Sequence, residues 1–410
     1  MDIGVLAIQA CLFLALYFEV FLLITFFEKK PSHKTSENPA SFPSITMVVP
    51  CFNEERTLAE TVRSLLALRY PKEKLTISIV DDGSTDNTRA IGEALAKAHP
   101  QVHYAYKANG GKYTALNFAI THATTDLIGC LDADSFVVED ALIEAVKKFE
   151  SDQSIMAITP AMKVYRPRNM LELMQSVEYT FGIFYKKMFD NLAALNVLPG
   201  PFSIYRKEVF EKIGHFRHAH NTEDMEIAFR MHANGLKLVN AHTSFVYTTV
   251  PSTVRALLKQ RTRWSQGFLQ NSRDYSYMYF NPRFGNFGIF ALPFGIMGFA
   301  AGLFTAGYAF YHIVQYLGTQ VLDMWFTKIP PHLPEMQMQW LYLNTSMTMF
   351  LVIAALGLTL TAIVLGSRIA ETRLSFKSLV SYFAIFGFIA PLWLARAAVG
   401  AALARESKWR

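Results

Sequence analysis

Ile45-Thr-Met-Val-Val-Pro-Cys-Phe-Asn-Glu-Glu55 and Thr76-Ile-Ser-Ile-Val-Asp-Asp-Gly-Ser-Thr-Asp86 share one design. A short apolar, β-branched run ends in polar residues, and a helical pattern follows each one. Ile45–Val49 and Thr76–Val80 read as strands, and Leu58–Leu68 and Thr88–Ala98 as helices. Leu127–Leu131 is a third strand-like run. Strand, helix, strand, helix implies an α/β fold with a parallel sheet covered on both faces. In such a sheet ligands bind outside the carboxyl ends of the strands. The polar clusters at residues 53–55 and 81–86 therefore mark one crevice. Residues 44–252 hold this domain, a length that supports a large core.

Outside that stretch the chain is different. Of its 410 residues 51% are hydrophobic and only 18% charged, against about 25% charged in soluble proteins. With 33 Phe and 18 Tyr it cannot be a disordered chain. Cys11, Cys51 and Cys130 lie far apart, which excludes a disulfide scaffold and a zinc module. Ile3–Phe27 is apolar except for Glu19 and is long enough to span a bilayer. Lys29, Lys30 and Lys34 follow it, so the positive-inside rule puts the N-terminus outside and the α/β domain in the cytoplasm. No small-residue cleavage site follows the run, so residues 1–28 read as an uncleaved anchor, with Glu19 packed against other helices. Residues 29–43 read as a polar linker, and 253–286 as an amphipathic interface segment. Residues 287–410 hold three further apolar runs, Phe287–Tyr311, Leu341–Gly366 and Ser378–Leu394. About four transmembrane helices result. The basic loop 367–377 fits the cytoplasmic side; Arg405, Lys408 and Arg410 oppose the outside C-terminus that four crossings give. The last run is short enough to lie in the interface instead.

Six short motifs carry chemistry. Asn53 and Glu54 open a helix beside the crevice. Asp81 or Asp82 can accept from a uracil N–H or a ribose hydroxyl, although Asp82-Gly83-Ser84 also makes an ordinary turn. In Asn109-Gly-Gly-Lys112 the glycines admit a close ligand and Lys112 offers phosphate a point charge. The spacing is not that of a Walker loop. Asp132-Ala-Asp134 follows a strand, and alternation sends both carboxylates to one side, where Mg²⁺ or Mn²⁺ would relieve their repulsion. Thr222-Glu223-Asp224 precedes the helical run Met225–Ala233. Acids belong at a helix start, but Asp224 there can also serve as general base toward a hydroxyl. Gln260-Arg-Thr-Arg263-Trp264 lies on an amphipathic helix, where Arg263 can clamp a diphosphate and Trp264 can stack on a sugar. His242 reads as structural. Tyr275, Tyr277, Tyr279 and Phe280 read first as an interfacial belt, and otherwise as a polymer exit.

In this order and spacing the motifs resemble membrane-bound family 2 glycosyltransferases of the inverting GT-A type, over roughly residues 44–271. That family includes synthases of poly-N-acetylglucosamine, hyaluronan, cellulose and chitin oligosaccharides. The resemblance implies a cytoplasmic GT-A (Rossmann-like) domain using a UDP-sugar. It makes Asp224 the catalytic base and Asp134 the metal ligand. Asn53, Glu54, Asp81, Asp82, Lys112 and Asp132 would bind the nucleotide sugar, and Glu223, Gln260, Arg263 and Trp264 the acceptor and diphosphate. Residues 260–267 resemble the poly-N-acetylglucosamine branch, whereas Pro199–Arg206 resembles the hyaluronan and Nod-factor enzymes.

The expected activity is processive β-transfer, most simply of N-acetylglucosamine from UDP-N-acetylglucosamine, with export through the membrane helices. The alternative is a single transfer onto a lipid acceptor. Expected partners are the UDP-sugar, a polysaccharide or lipid acceptor, the bilayer, and an accessory membrane subunit. The net charge of +6 gathers beside the apolar runs and fits anionic lipid rather than nucleic acid.

Overall fold

The structure, a computed structural model, describes residues 3–28, 39–328 and 346–403. Its strands are β1 Ile45–Cys51, β2 Leu75–Asp81, β3 Val102–Tyr106, β4 Leu127–Cys130, β5 Ser135–Val137, β6 Ile155–Val164, β7 Ser203–Arg206 and β8 Lys237–Thr248. Its helices are α1 Ile3–Phe27, α2 Leu58–Leu66, α3 Thr88–Ala98, α4 Lys112–His122, α5 Ala141–Ser151 and α6 Met170–Asn191. They continue with α7 Glu208–Ile213, α8 Glu223–Ala233, α9 Val254–Asp274, α10 Leu292–Thr327, α11 Met347–Ile369 and α12 Phe376–Ala402.

Among the described residues the strands form one sheet in the order β3-β2-β1-β4-β7-β6-β8-β5. The first four are parallel, and β7 runs against both β4 and β6. β1 is buried along its whole length. Met47 and Val49 meet Leu58, Val62 and Leu65 on one face. Val48 meets Leu116 and Ile120 of α4 on the other. Burial on both faces is why β1 reads as a continuous apolar run rather than an alternating one. Cys51 pairs with Asp81, the Asp82 N–H donates to Cys51 O at 2.9 Å, and the Leu131 N–H donates to Val48 O at 2.9 Å. The register thus brings the polar ends of β1, β2 and β4 to one edge.

Among the described residues four helices are long and apolar enough to cross a membrane: α1, α10 with the π-helical turn Phe287–Ala291 that precedes it, α11 and α12. α10 extends well beyond Tyr311, because apolar residues continue past His312 and Gln315 without a helix breaker. α12 continues past Pro391 to Ala402 and so exceeds the run Ser378–Leu394. The start of the expected Leu341–Gly366 run, and most of the expected linker, lie outside the described residues. Glu19 meets the expectation of packing: it accepts from the Thr359 hydroxyl of α11 at 2.7 Å.

α6 and α9 are among the helices that join the sheet to this bundle. α6 is capped by Asn169, which accepts from Glu172 N–H. Its Leu171, Met174 and Val177 pack with Leu257 and Leu258 of α9 and with Tyr382 and Trp393 of α12. α9 therefore buries its apolar face against protein. Of the aromatic residues after α9, Tyr277 and Phe280 are exposed, whereas Tyr275 is not. It is buried and donates to Glu226 Oε1 at 2.7 Å, giving that carboxylate a partner in the core.

Candidate active site

One cavity of about 650 Å³ opens at the polar sheet edge. Glu54 reaches it from beyond β1, Lys112 from the start of α4, and Asp132 and Asp134 from the turn between β4 and β5. Glu223 and Asp224 come from the first turn of α8, and Gln260, Arg263 and Trp264 from α9. Nine of the twelve residues singled out in the sequence share this wall. Asp132 and Asp134 share it because a turn presents them, not because a strand alternates there. α8 begins two residues earlier than the sequence suggests, so Glu223 and Asp224 sit inside its positive end, where the macrodipole favours acids.

Asn53, Asp81 and Asp82 stand behind the cavity wall. Asp82 accepts from Gly110 N–H at 3.0 Å, Gly111 N–H at 2.8 Å and Lys107 Nζ at 2.5 Å. Asp81 accepts from Ser84 N–H at 2.8 Å and from the Tyr104 hydroxyl at 2.8 Å. Asn53 takes a left-handed φ of 58°, and its side chain accepts from Thr85 N–H at 2.8 Å. These residues tie the loops after β1, β2 and β3 together and so fix the glycine turn that leads into Lys112.

Lys112 is the electrostatic centre. Its Nζ lies 2.5 Å from Asp132 Oδ1 and 3.6 Å from Glu223 Oε1. Burial works against its charge, but Asp132, Glu223 and Asp224 outweigh it and hold the ammonium protonated. Gly200 leaves room for this pair. A Cβ on it would lie 2.6 Å from Asp132 Oδ1 and would also strike Lys112 Nζ.

Two acids depart from ordinary carboxylate behaviour. Burial, then the charge of Glu223, pushes Asp224 up to about 6, against the pull of Lys112 and Arg263. Burial, then Asp132 and Glu54, pushes Asp134 up to about 6. A buried carboxylate held near neutrality suits a general base. The Asp132–Asp134 pair supplies oxygen atoms alone, the donor type that hard divalent cations take. Among the described residues no cluster of three or more His, Cys, Asp or Glu forms a metal cage.

The approach to Asp224 is unusual backbone. Ala219, His220 and Asn221 all have left-handed φ, at 42°, 56° and 60°. α9 holds the end of this turn: Arg263 Nη1 donates to Asn221 O at 2.6 Å, and Asn271 Nδ2 to Thr222 Oγ1 at 2.9 Å. Gly267 sits so close to Thr222 that a Cβ would collide with its side chain.

Sequence reasoning missed part of the wall. Glu178, Tyr179, Gly182, Ile183 and Lys186 of α6 line it, and their spacing is a helical face whose only signal was its period. Burial brings Lys186 down to about 8, with Asp224 opposing. Arg261 also lines it, inside a motif already noticed but at a position given no role. His242 lies away from the cavity, and burial, then Lys187 and Lys148, brings it down to about 4, as befits a structural histidine.

Residues 46–214 match the family model Glycosyl transferase family 2. The chain is 30% identical over 260 residues to a poly-beta-1,6-N-acetyl-D-glucosamine synthase of Staphylococcus aureus strain COL, covering 62% of this chain and 63% of that one. A synthase of the same name from Staphylococcus epidermidis strain ATCC 35984 matches at 30% over 261 residues, with 62% and 63% covered. The alignment thus spans a little under two thirds of those relatives. A mannosyltransferase of Pyrobaculum calidifontis, solved with GDP-Man and Mn2+, shares the fold at TM-score 0.64 and 21% identity, over 98% of this chain and 99% of that one.

Proposed function

We propose that this chain, which carries a glycosyl transferase family 2 domain, is a membrane glycosyltransferase that extends a β-linked polysaccharide from UDP-N-acetylglucosamine. The carrying observation is the convergence of Lys112, Asp132, Asp134, Asp224, Arg263 and Trp264 on one cavity. The names of the Staphylococcus relatives supply the sugar. The α/β domain faces the cytoplasm, the four long apolar helices cross the membrane, and the polymer leaves among them, with or without an accessory subunit.

The acceptor's terminal ring stacks on Trp264, and Asp224 takes the proton of its attacking hydroxyl. That oxygen bonds to the anomeric carbon as the bond to UDP breaks, and the configuration inverts. Lys112 and Arg263 meet the charge on the departing diphosphate. Asp132 and Asp134 would hold Mg²⁺ or Mn²⁺, which when bound neutralises diphosphate charge without proton transfer.

The test is UDP release and product sizing by purified protein in nanodiscs with Mn²⁺. UDP-N-acetylglucosamine, UDP-glucose, and UDP-glucuronate together with UDP-N-acetylglucosamine are supplied in separate reactions. A long polymer from UDP-N-acetylglucosamine alone is expected. A single-sugar adduct, or release only with added lipid, would replace this reading by lipid glycosylation.

A further inference from the structure

Arg261 lines the cavity yet is only 4% exposed, and its fork is occupied. Nη2 donates to Glu178 Oε2 of α6 at 2.9 Å, and Nη1 donates to Gln260 Oε1 at 3.1 Å. The guanidinium carbon lies 4.3 Å from the ring centre of Trp264. Tyr179 also borders the cation, with its ring centre 5.9 Å away. Burial disfavours its charge, but Glu178 and Tyr179 more than restore it. Both terminal nitrogens and one face of this cation therefore engage neighbours rather than a ligand.

We propose that Arg261, anchored by Glu178, is a positioning residue that orients Gln260 and Trp264 for the acceptor sugar. The proposal rests on reading the cavity as a glycosyl-transfer site. A planar cation over the indole fixes its tilt and takes one of its faces, so a sugar must stack on the other. The bond to Gln260 Oε1 turns that amide so that its N–H₂ is presented as donor. Lysine cannot do both, since it has neither fork nor plane. The anchor also fixes the distance between α6 and α9, and therefore the width of the cavity.

The experiment compares the full-length protein with Arg261→Lys and Glu178→Gln in nanodiscs, with N-acetylglucosamine oligomers as acceptor. Arg261→Lys is expected to raise the acceptor KM about tenfold, the size of losing a partly buried cation–π contact and one hydrogen bond. UDP affinity and the thermal midpoint should stay near wild type, and Glu178→Gln should follow the same pattern. Trp264→Phe isolates the emission of this indole by difference, and in Arg261→Lys that emission should become more open to acrylamide quenching. Unchanged acceptor KM and quenching would overturn the proposal. So would a parallel fall in UDP affinity and thermal midpoint, which marks a purely structural pair. If the wild type transfers nothing from any donor, the functional reading fails, and the Trp264 quenching comparison alone decides the role of Arg261.

Discussion

Asp224 has two properties that pull in opposite directions with pH. Its carboxyl is held up to about 6 by burial and Glu223, above its unfolded value, so the folded state favours the proton. As pH falls through about 6 the fold gains from protonation, while the base is lost. Initial rates should fall about tenfold per pH unit below that point, while the thermal midpoint does not drop for this reason. Rates and midpoints measured from pH 7 to pH 5 check the sign; a rate that is flat across this window would remove Asp224 as base. Asp224→Asn should cost roughly 10²–10⁴-fold in transfer with UDP affinity retained, read by titration calorimetry. Gly200→Ala tests the neighbouring pair, since the new methyl must displace the ends of Lys112 and Asp132 from their present places. Transfer should drop at least about tenfold, a loss near 1.4 kcal/mol, with the sheet intact by circular dichroism.

At the scale of elements, the strands of the nucleotide half were legible because parallel strands buried on both faces leave apolar runs that end in polar residues. β1, β2 and β4 lie within a residue or two of expectation. What stayed illegible is what distance in sequence hides. α6 lies 82 residues before Gln260, yet supplies Glu178 and Lys186 to the same wall. A strand-end acid has the same sequence signature whether it meets a ligand or ties loops together, and the loop-tying role of Asp81 and Asp82, through the N–H groups of Ser84, Gly110 and Gly111, is visible only in the structure. The left-handed turn 219–221 had no glycine to announce it. Ala219 is the strained member, since a left-handed alanine costs about 1–2 kcal/mol whereas asparagine tolerates the region better. Ala219→Gly should therefore raise the thermal midpoint by a few degrees, measured in detergent by differential scanning. A fall would show that the alanine methyl, not the backbone, decides this turn.

Across the whole molecule, the cavity-lining helices α6 and α9 meet the long apolar helices at close glycine contacts, among them Gly366, Gly400 and Gly295, the last against Phe268 of α9. Gly366 of α11 lies against the backbone of Thr180 in α6, with a Cβ position 3.3 Å from Phe184 Cβ. Gly400 of α12 has its Cβ position 2.7 Å from Gln266 Oε1 in α9. α6 and α9 are also the helices that carry Glu178, Arg261, Arg263 and Trp264. Packed interiors transmit displacement because they hold few voids that can absorb it. Adding bulk at Gly400 displaces the buried side chain of Gln266, which faces it from α9. α9 in turn holds Asn221 O through Arg263 and Thr222 through Asn271, so a movement of α9 that follows the repacking of Gln266 is passed to the turn before Asp224. Gly400→Val, remote from the cavity residues in sequence and seated on a long apolar helix, should lower transfer several-fold. UDP affinity should fall much less, because Asp81, Asp82 and the glycine turn are fixed by the sheet rather than by α9. Gly387→Val is the control, since nothing lies within 4 Å of its Cβ position. Equal activity for Gly400→Val and wild type would mean that the bundle holds the domain without setting its geometry. A loss confined to Gly400→Val would mean that the membrane helices form one side of the catalytic frame.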